Sequence, residues 1–236
     1  MKIVSVLLQV TNPGVEAPFN LSDPAVPAVA QMDIMDLAQK GGPIMFVLLA
    51  LSLLALFIVI QRWLVIRQAG RSDDAFMSRI RDYIHDGKVE SALNLCHSTD
   101  SPTARMIGKG ISRLGRPVND ILATVENAGN LEVAKLEKGF PIIATTAAGA
   151  PMIGFLGTVT GMVRAFFDMA NAGTNVDVQL LSSGIYEALV TTVAGLIVGI
   201  IALFAYNYLV SKVDSVVNQL ETRTMDFMDL LNEPVS

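Results

Sequence analysis

The polarity of this chain changes in blocks. Three stretches hold no Asp, Glu, Lys, Arg or His: Gly41 to Gln61, Gly139 to Val163 and Ala188 to Ser211, which are 21, 25 and 24 residues long. A helix needs about 20 apolar residues to cross a hydrocarbon core ~30 Å thick, so each stretch predicts a transmembrane helix. Between the first two the pattern is amphipathic. Phe76, Ile80, Tyr83 and Ile84 fall on one helical face, His85 to Lys88 reads as a turn, and Val89, Ala92, Leu93 and Cys96 form the next apolar stripe. Ser101 before Pro102 reads as an N-cap with proline in the first turn, opening a helix that Gly115-Arg116-Pro117 closes. Ile121, Val125, Ala128 and Leu136 carry the stripe onward, which predicts that the second span is the membrane end of a longer helix.

The third span also outlasts the bilayer. Leu209, Val213, Val216, Leu220, Phe227 and Leu231 recur at helical intervals, and residues 212 to 231 would project some 30 Å beyond the membrane. Such a stripe needs a cover. Helices of neighbouring subunits would supply one, and so would the chain's own helical domain.

Charge sets the orientation. Only Lys2 and Lys40 precede residue 62, whereas Arg62, Arg67 and Arg71 follow the first span and Arg105, Lys109, Arg113, Arg116, Lys135 and Lys138 precede the second. Positive charge collects on the cytoplasmic side, so the N-terminus is expected outside and the C-terminus inside, with Trp63 as an interfacial anchor. The expected organisation is an external flexible tail (1–40), a first span (41–66), a cytoplasmic helical domain (67–138), a second span (139–167), an external link (168–180), a third span (181–211) and a cytoplasmic helical tail (212–236). The fold class is all-α: a three-span integral membrane protein whose long helices extend into a cytoplasmic helical domain. Lys2 with "IVSVLLQV" and the later "AVAQ" resemble parts of a signal peptide, but the proline-rich, acid-containing stretch between them favours a tail that is kept.

Composition narrows the function. Hydrophobic residues make up 52% and charged residues 17% of the chain, below the roughly 25% charged of a soluble domain. A net charge of −5 gives no basic face for nucleic acid, and a lone cysteine, Cys96, with two histidines allows neither a disulfide nor a plausible zinc site. No bound cofactor and no metal are expected. "GKGIS" at 108 to 112 lacks the P-loop ending and no Gly-x-Ser-x-Gly elbow occurs, so an enzyme is not expected.

The spans are not plain hydrocarbon. Gly157 and Gly161 in "GTVTG", and Gly195 and Gly199 in "GLIVG", are small-xxx-small patterns that let helix backbones approach. Ala150, Gly154 and Thr158 share one face, and Ala188, Thr192, Gly195 and Gly199 another. Measured from the external link, Thr158 and Thr192 reach a common depth of some 15 to 18 Å. With the third helix starting near Asn175, Glu187 would lie about 12 residues along it, inside the outer half of the bilayer. An ionisable group there costs about 2.5 kcal/mol or more near the centre and marks a candidate pathway. Thr158, Thr191, Thr192 and Glu187 can both donate and accept protons when protonated, which suits proton passage. The alternatives stay open: glycines that only pack, hydroxyls that bond their own i−4 carbonyls, and a glutamate that caps a helix from outside.

"GAPMIGFLGTVTGMVRAF" (149–166) and "SGIYEALVTTVAGLIVGIIALFAYN" (183–207) resemble the two signature helices of the ExbB, TolQ and MotA proton-channel family, and ExbB and TolQ more than the longer MotA. The resemblance covers the span order and roughly the last 120 residues. It implies an inner-membrane stator driven by the proton-motive force. It also implies a pentamer around a pair of ExbD-like single-span partners that carry the titrating aspartate, and a TonB-like protein beyond them. By motif position, Thr158 matches the family's functional threonine of the second helix, and Glu187 and Thr192 match the glutamate and threonine of the third. The chain departs from the family in lacking the proline often found in the third helix and in placing Ser183 where another often precedes the "GI.EAL" element. The competing expectations are a TolQ-like subunit of the envelope-stabilising Tol system and an inert oligomeric scaffold in the lipid bilayer.

Overall fold

The structure, a computed structural model, describes residues 42–70, 74–171 and 178–232. The expected external tail, the middle of the expected link and the last four residues lie outside the described residues. Among those described there are seven helices and no strand: α1 (Gly42–Ala69), α2 (Asp74–His85), α3 (Val89–Ser98), α4 (Pro102–Ile111), α5 (Val118–Glu137), α6 (Phe140–Asn171) and α7 (Val178–Asn232). Three helical stretches are long and apolar enough to cross a membrane, and they include α1, α6 and α7.

The membrane section is built from α1 and the antiparallel pair α6–α7. Most apolar side chains of α1 point outward, Phe46 and Phe57 among them, and only Leu48, Ala55, Ile58 and Ile66 are buried. A helix that is hydrophobic all round with so few protein contacts is suited to lipid. The α6–α7 pair makes the most extensive contact in the chain.

The short helices begin and end where their sequences dictate. Ser101 Oγ accepts the Ala104 N–H at 3.1 Å with Pro102 in the first turn of α4, and Gly87 takes a positive φ of 70° in the turn between α2 and α3. Phe76, Ile80, Ala92 and Cys96 are buried, whereas Val89 is exposed. The Cys96 thiol, pushed up to about 11 by burial, is an inert core group.

One expectation is revised and one open alternative is decided. The second span does not continue α5: Lys138 leaves the helical conformation, Gly139 takes φ +94°, and α6 restarts with Ile142 N–H donating to Gly139 O at 3.1 Å. A φ near +90° is open to glycine and strained for other residues, and Pro141, in the first turn of α6, needs no N–H partner. Arg62 of α1 braces the joint, donating from Nη1 to the Lys135 carbonyl in the last turn of α5 at 3.1 Å. The long stripe of α7 is covered by the chain itself: Leu209, Val213, Val216, Leu220, Phe227 and Leu230 are buried with Ile107, Val125 and Ile121 of α4 and α5 in one core. Leu231 is half-buried, and Leu230 takes the inward position. The stripe therefore gives no argument for an oligomer.

One buried charge ties this domain together. Glu132 of α5 is 5% exposed and holds Arg105 of α4 through Oε2 at 2.8 and 2.9 Å, and Lys135 through Oε1 at 2.6 Å. Burial pushes its carboxyl up, but the hydrogen bonds from Arg105 and Lys135 and their charges outweigh that and hold it below the ordinary range. A depressed carboxylate contributes stability that is present above the unfolded value near 4.3 and is lost as pH falls through the folded one. Amide protection in α4 and α5, relative to the intrinsic exchange rate at each pH, is expected to fall below about pH 4 in the native protein. Glu132→Gln should start less protected and lose this acid-dependent step; an identical acid profile in both proteins would remove Glu132 as its cause.

Candidate functional site

The α6–α7 pair closes on two ladders of small residues. On α6 the buried glycines and alanines are Ala150, Gly154, Gly157, Gly161 and Ala165; facing them on α7 are Gly184, Ala188, Thr191, Gly195 and Gly199. Both ladders step by four, three, four and four residues, the spacing that keeps one face of a helix turned to its neighbour. The pairing is antiparallel and regular. Gly184 meets Ala165, Gly161 meets Ala188, Gly157 meets Thr191, Gly154 meets Gly195, and Gly199 meets Pro151. A Cβ on Gly195 would stand 2.5 Å from the Ala150 carbonyl oxygen and 2.9 Å from the Gly154 Cα, so these backbones touch directly. Pro151 inside α6 frees the Ala147 carbonyl from its helical bond, and Gly199 packs against the ring and that carbonyl.

All seven small residues singled out in the sequence, Ala150, Gly154, Gly157, Gly161, Ala188, Gly195 and Gly199, lie in this seam. Ala165 and Gly184 extend it and were missed, although the four-three-four spacing continues through both. The hydroxyls divide. Thr191 is 1% exposed, wedged against Gly157, with Oγ1 donating to its own Ala188 carbonyl at 2.8 Å. Thr192 reaches across the seam and donates to the Gly154 carbonyl at 3.0 Å, and Thr158 donates to Phe155 O at 2.6 Å. The seam thus takes Gly157 and Thr191, and Thr158 and Thr192 each sit one residue beyond. In antiparallel helices that step rotates both to the same side, so these two half-buried hydroxyls flank the seam together at one level.

Glu187 is elsewhere. It lies five residues before Thr192, about 140° round the helix, and its carboxylate meets Gly42, the first residue of α1, and Arg164 Nη1 at 3.9 Å. The sequence placed it well inside a span. In the structure it is level with the start of the first span, because α1 begins beside it. Arg164, a partner that the sequence reading missed, stands at the boundary of the uncharged stretch. The arrangement can therefore offer a polar edge on one side of the hairpin, and an acid–base pair on the side shared with α1. The threonine protons are spent on main-chain carbonyls, but each oxygen retains accepting capacity for water or a protonated partner. No group of three or more His, Cys, Asp or Glu that could hold a metal occurs among the described residues.

Comparison with known proteins bears on the family of the chain. The model of the MotA/TolQ/ExbB proton channel family matches residues 98–222, which include α4, α5, α6 and most of α7. A Synechocystis protein named as an ExbB-like biopolymer transport protein is 32% identical over 201 residues, 82% of this chain and 74% of its own length. The biopolymer transport protein ExbB of Neisseria meningitidis is 26% identical over 86% of this chain and 99% of its own. The Tol-Pal system protein TolQ of Haemophilus influenzae is 28% identical over 79% and 88%.

Proposed function

Since the chain belongs to the MotA/TolQ/ExbB proton channel family, we propose that it is the pore-forming stator subunit of an ExbB–ExbD type inner-membrane motor. In this reading the proton-motive force, with no bound cofactor, drives work that energises TonB-dependent transport across the outer membrane. Members of the family work with partner proteins in membrane complexes. The proposed complex is a pentamer around a pair of ExbD-like single-span proteins, coupled to a TonB-like protein. The N-terminus lies in the periplasm and the C-terminus in the cytoplasm, an orientation supported by the arginines and lysines that follow α1 and precede α6.

The observation that carries the reading is the polar edge. Thr158 and Thr192 lie side by side on a hairpin whose uncharged stretches contain no aspartate, so the chain supplies a wall with hydroxyls and needs a titrating group from a partner. Glu187, facing α1 and Arg164, would serve the entrance. A TolQ-like role in the Tol system is the second reading, favoured by a TolQ relative matched at similar identity over most of the chain.

Proton uptake by cells or vesicles containing the full complex tests this. Thr158→Ala with Thr192→Ala is expected to lower the flux at least about tenfold, each change removing about 1 kcal/mol of hydrogen bonding, too little to dissolve the assembly. Unchanged flux with an intact complex would return the hairpin to a mere packing scaffold. Loss of receptor-mediated import in a deletion strain with a sound envelope would select the ExbB role, and a leaky envelope with normal import the TolQ role.

A further inference from the structure

At the end of the membrane section away from Glu187, α1 and α7 enclose a crevice of about 330 Å³. Its floor is apolar and buried, made by Ile66, Leu209 and Val216. Its rim repeats one device on both helices. On α1 the Arg67 guanidinium lies 5.2 Å over the Trp63 ring, and on α7 the Lys212 ammonium lies 5.6 Å over the Tyr208 ring, each cation four residues after its aromatic. Ser215 and Gln219 add a hydroxyl and an amide.

Both cations are positioned without being neutralised. Neither has a carboxylate partner among the described residues. A ring below a cation holds it by the quadrupole and leaves its N–H groups free to donate, and a guanidinium can grip two oxygens of a phosphate at once. Two such cations across a narrow crevice form a site for one anionic group with several acceptor oxygens.

What the anion is attached to follows from the neighbouring faces. One and two turns toward the middle of the span lie Ile60 and Leu56 on the Trp63 face of α1, and Phe204 and Ile201 on the Tyr208 face of α7. These side chains are 51% to 72% exposed. The charged crevice thus continues into two adjacent apolar strips running along the span, and Trp and Tyr mark the level where headgroups meet acyl chains. A free phosphate would use the crevice and leave the strips bare.

We propose that the α1–α7 crevice binds an anionic phospholipid, with the headgroup phosphate between Arg67 and Lys212 and the acyl chains along the exposed strips of α1 and α7. The lipid fills the gap between the peripheral span and the hairpin, and so fixes α1 against α7 at the level where α7 leaves the membrane. The site rests on the three-span fold alone, not on proton conduction, so its failure would leave the stator reading untouched.

Native mass spectrometry of the full complex, delipidated and then offered phosphatidylglycerol or phosphatidylcholine, tests the assignment. The native protein is expected to retain phosphatidylglycerol over phosphatidylcholine, and Arg67→Gln with Lys212→Gln to weaken that retention at least about tenfold. Trp63→Leu, which keeps the apolar wall, should weaken it less. Equal retention of the two lipids, or unchanged phosphatidylglycerol binding in the double variant, would overturn the proposal. So would displacement of the lipid by millimolar inorganic phosphate, which would make the crevice a site for a free anion.

Discussion

Gly195→Ala is expected to separate α6 from α7 and abolish whatever the hairpin does, at a cost of about 3 kcal/mol or more, the upper range of overpacking. The added methyl would stand 2.5 Å from the Ala150 oxygen, 2.9 Å from the Gly154 Cα and 3.1 Å from the Gly154 nitrogen. All three are main-chain atoms of α6, so no rotamer change relieves the clash and the whole helix must back away. Retreat would break the Thr192 bond to the Gly154 carbonyl and loosen the contacts of Gly157 with Thr191 and Gly161 with Ala188. Gly149→Ala is the matched control, because a Cβ there meets nothing within 4 Å. Amide exchange along the seam residues of α6 and α7 reports the pairing directly. Exchange in the Gly195→Ala protein as slow as in the native protein would refute close backbone contact as the basis of the pairing.

The seam was partly legible in the sequence, because small residues at three- and four-residue spacing within an uncharged stretch have one common use. Its end at Gly184 was not. Gly184 sits among Ser182, Ser183 and Tyr186, before the uncharged stretch begins, and polarity masked a position that geometry makes equivalent to Gly195. The surroundings of Glu187 were hidden for a related reason: counting along one helix measures depth only relative to that helix's own start. The ruler that matters is α1, whose first residue meets the carboxylate, and that contact joins positions far apart in the chain.

The break at Gly139 left a local signal, glycine followed two residues later by proline, which the apolar stripe running through Leu136 concealed. Whether the α7 stripe would be covered by its own domain or by other subunits could not be read from periodicity. A stripe records that a helix has a partner and says nothing of which one. The Glu132 network was equally silent, since a lone acid on a helix reads as a solvated face until Arg105 is brought to it from the neighbouring element.

Phe227→Ala is expected to release the far half of α7 from α4 and α5 with a loss of about 3 to 5 kcal/mol, the range for a large buried aromatic. The ring is completely buried, and its edge packs where Gly110 leaves room: a Cβ on Gly110 would lie 2.7 Å from Phe227 Cε1 and 2.6 Å from Val125 Cγ2. Three helices therefore meet at one point, and removing the ring leaves a cavity bounded by α4 and α5, which cannot collapse without losing their own packing. The membrane hairpin lies beyond the Gly139 joint and shares none of these contacts. Hydrogen exchange should therefore show faster amides in α4, α5 and residues 216–232, with those of the α6 seam unchanged. Equal acceleration throughout α6 would mean that the helical domain and the hairpin unfold as one unit. The joint at Gly139 would then be a bend in a single cooperative structure, and the Arg62 brace to Lys135 part of its core.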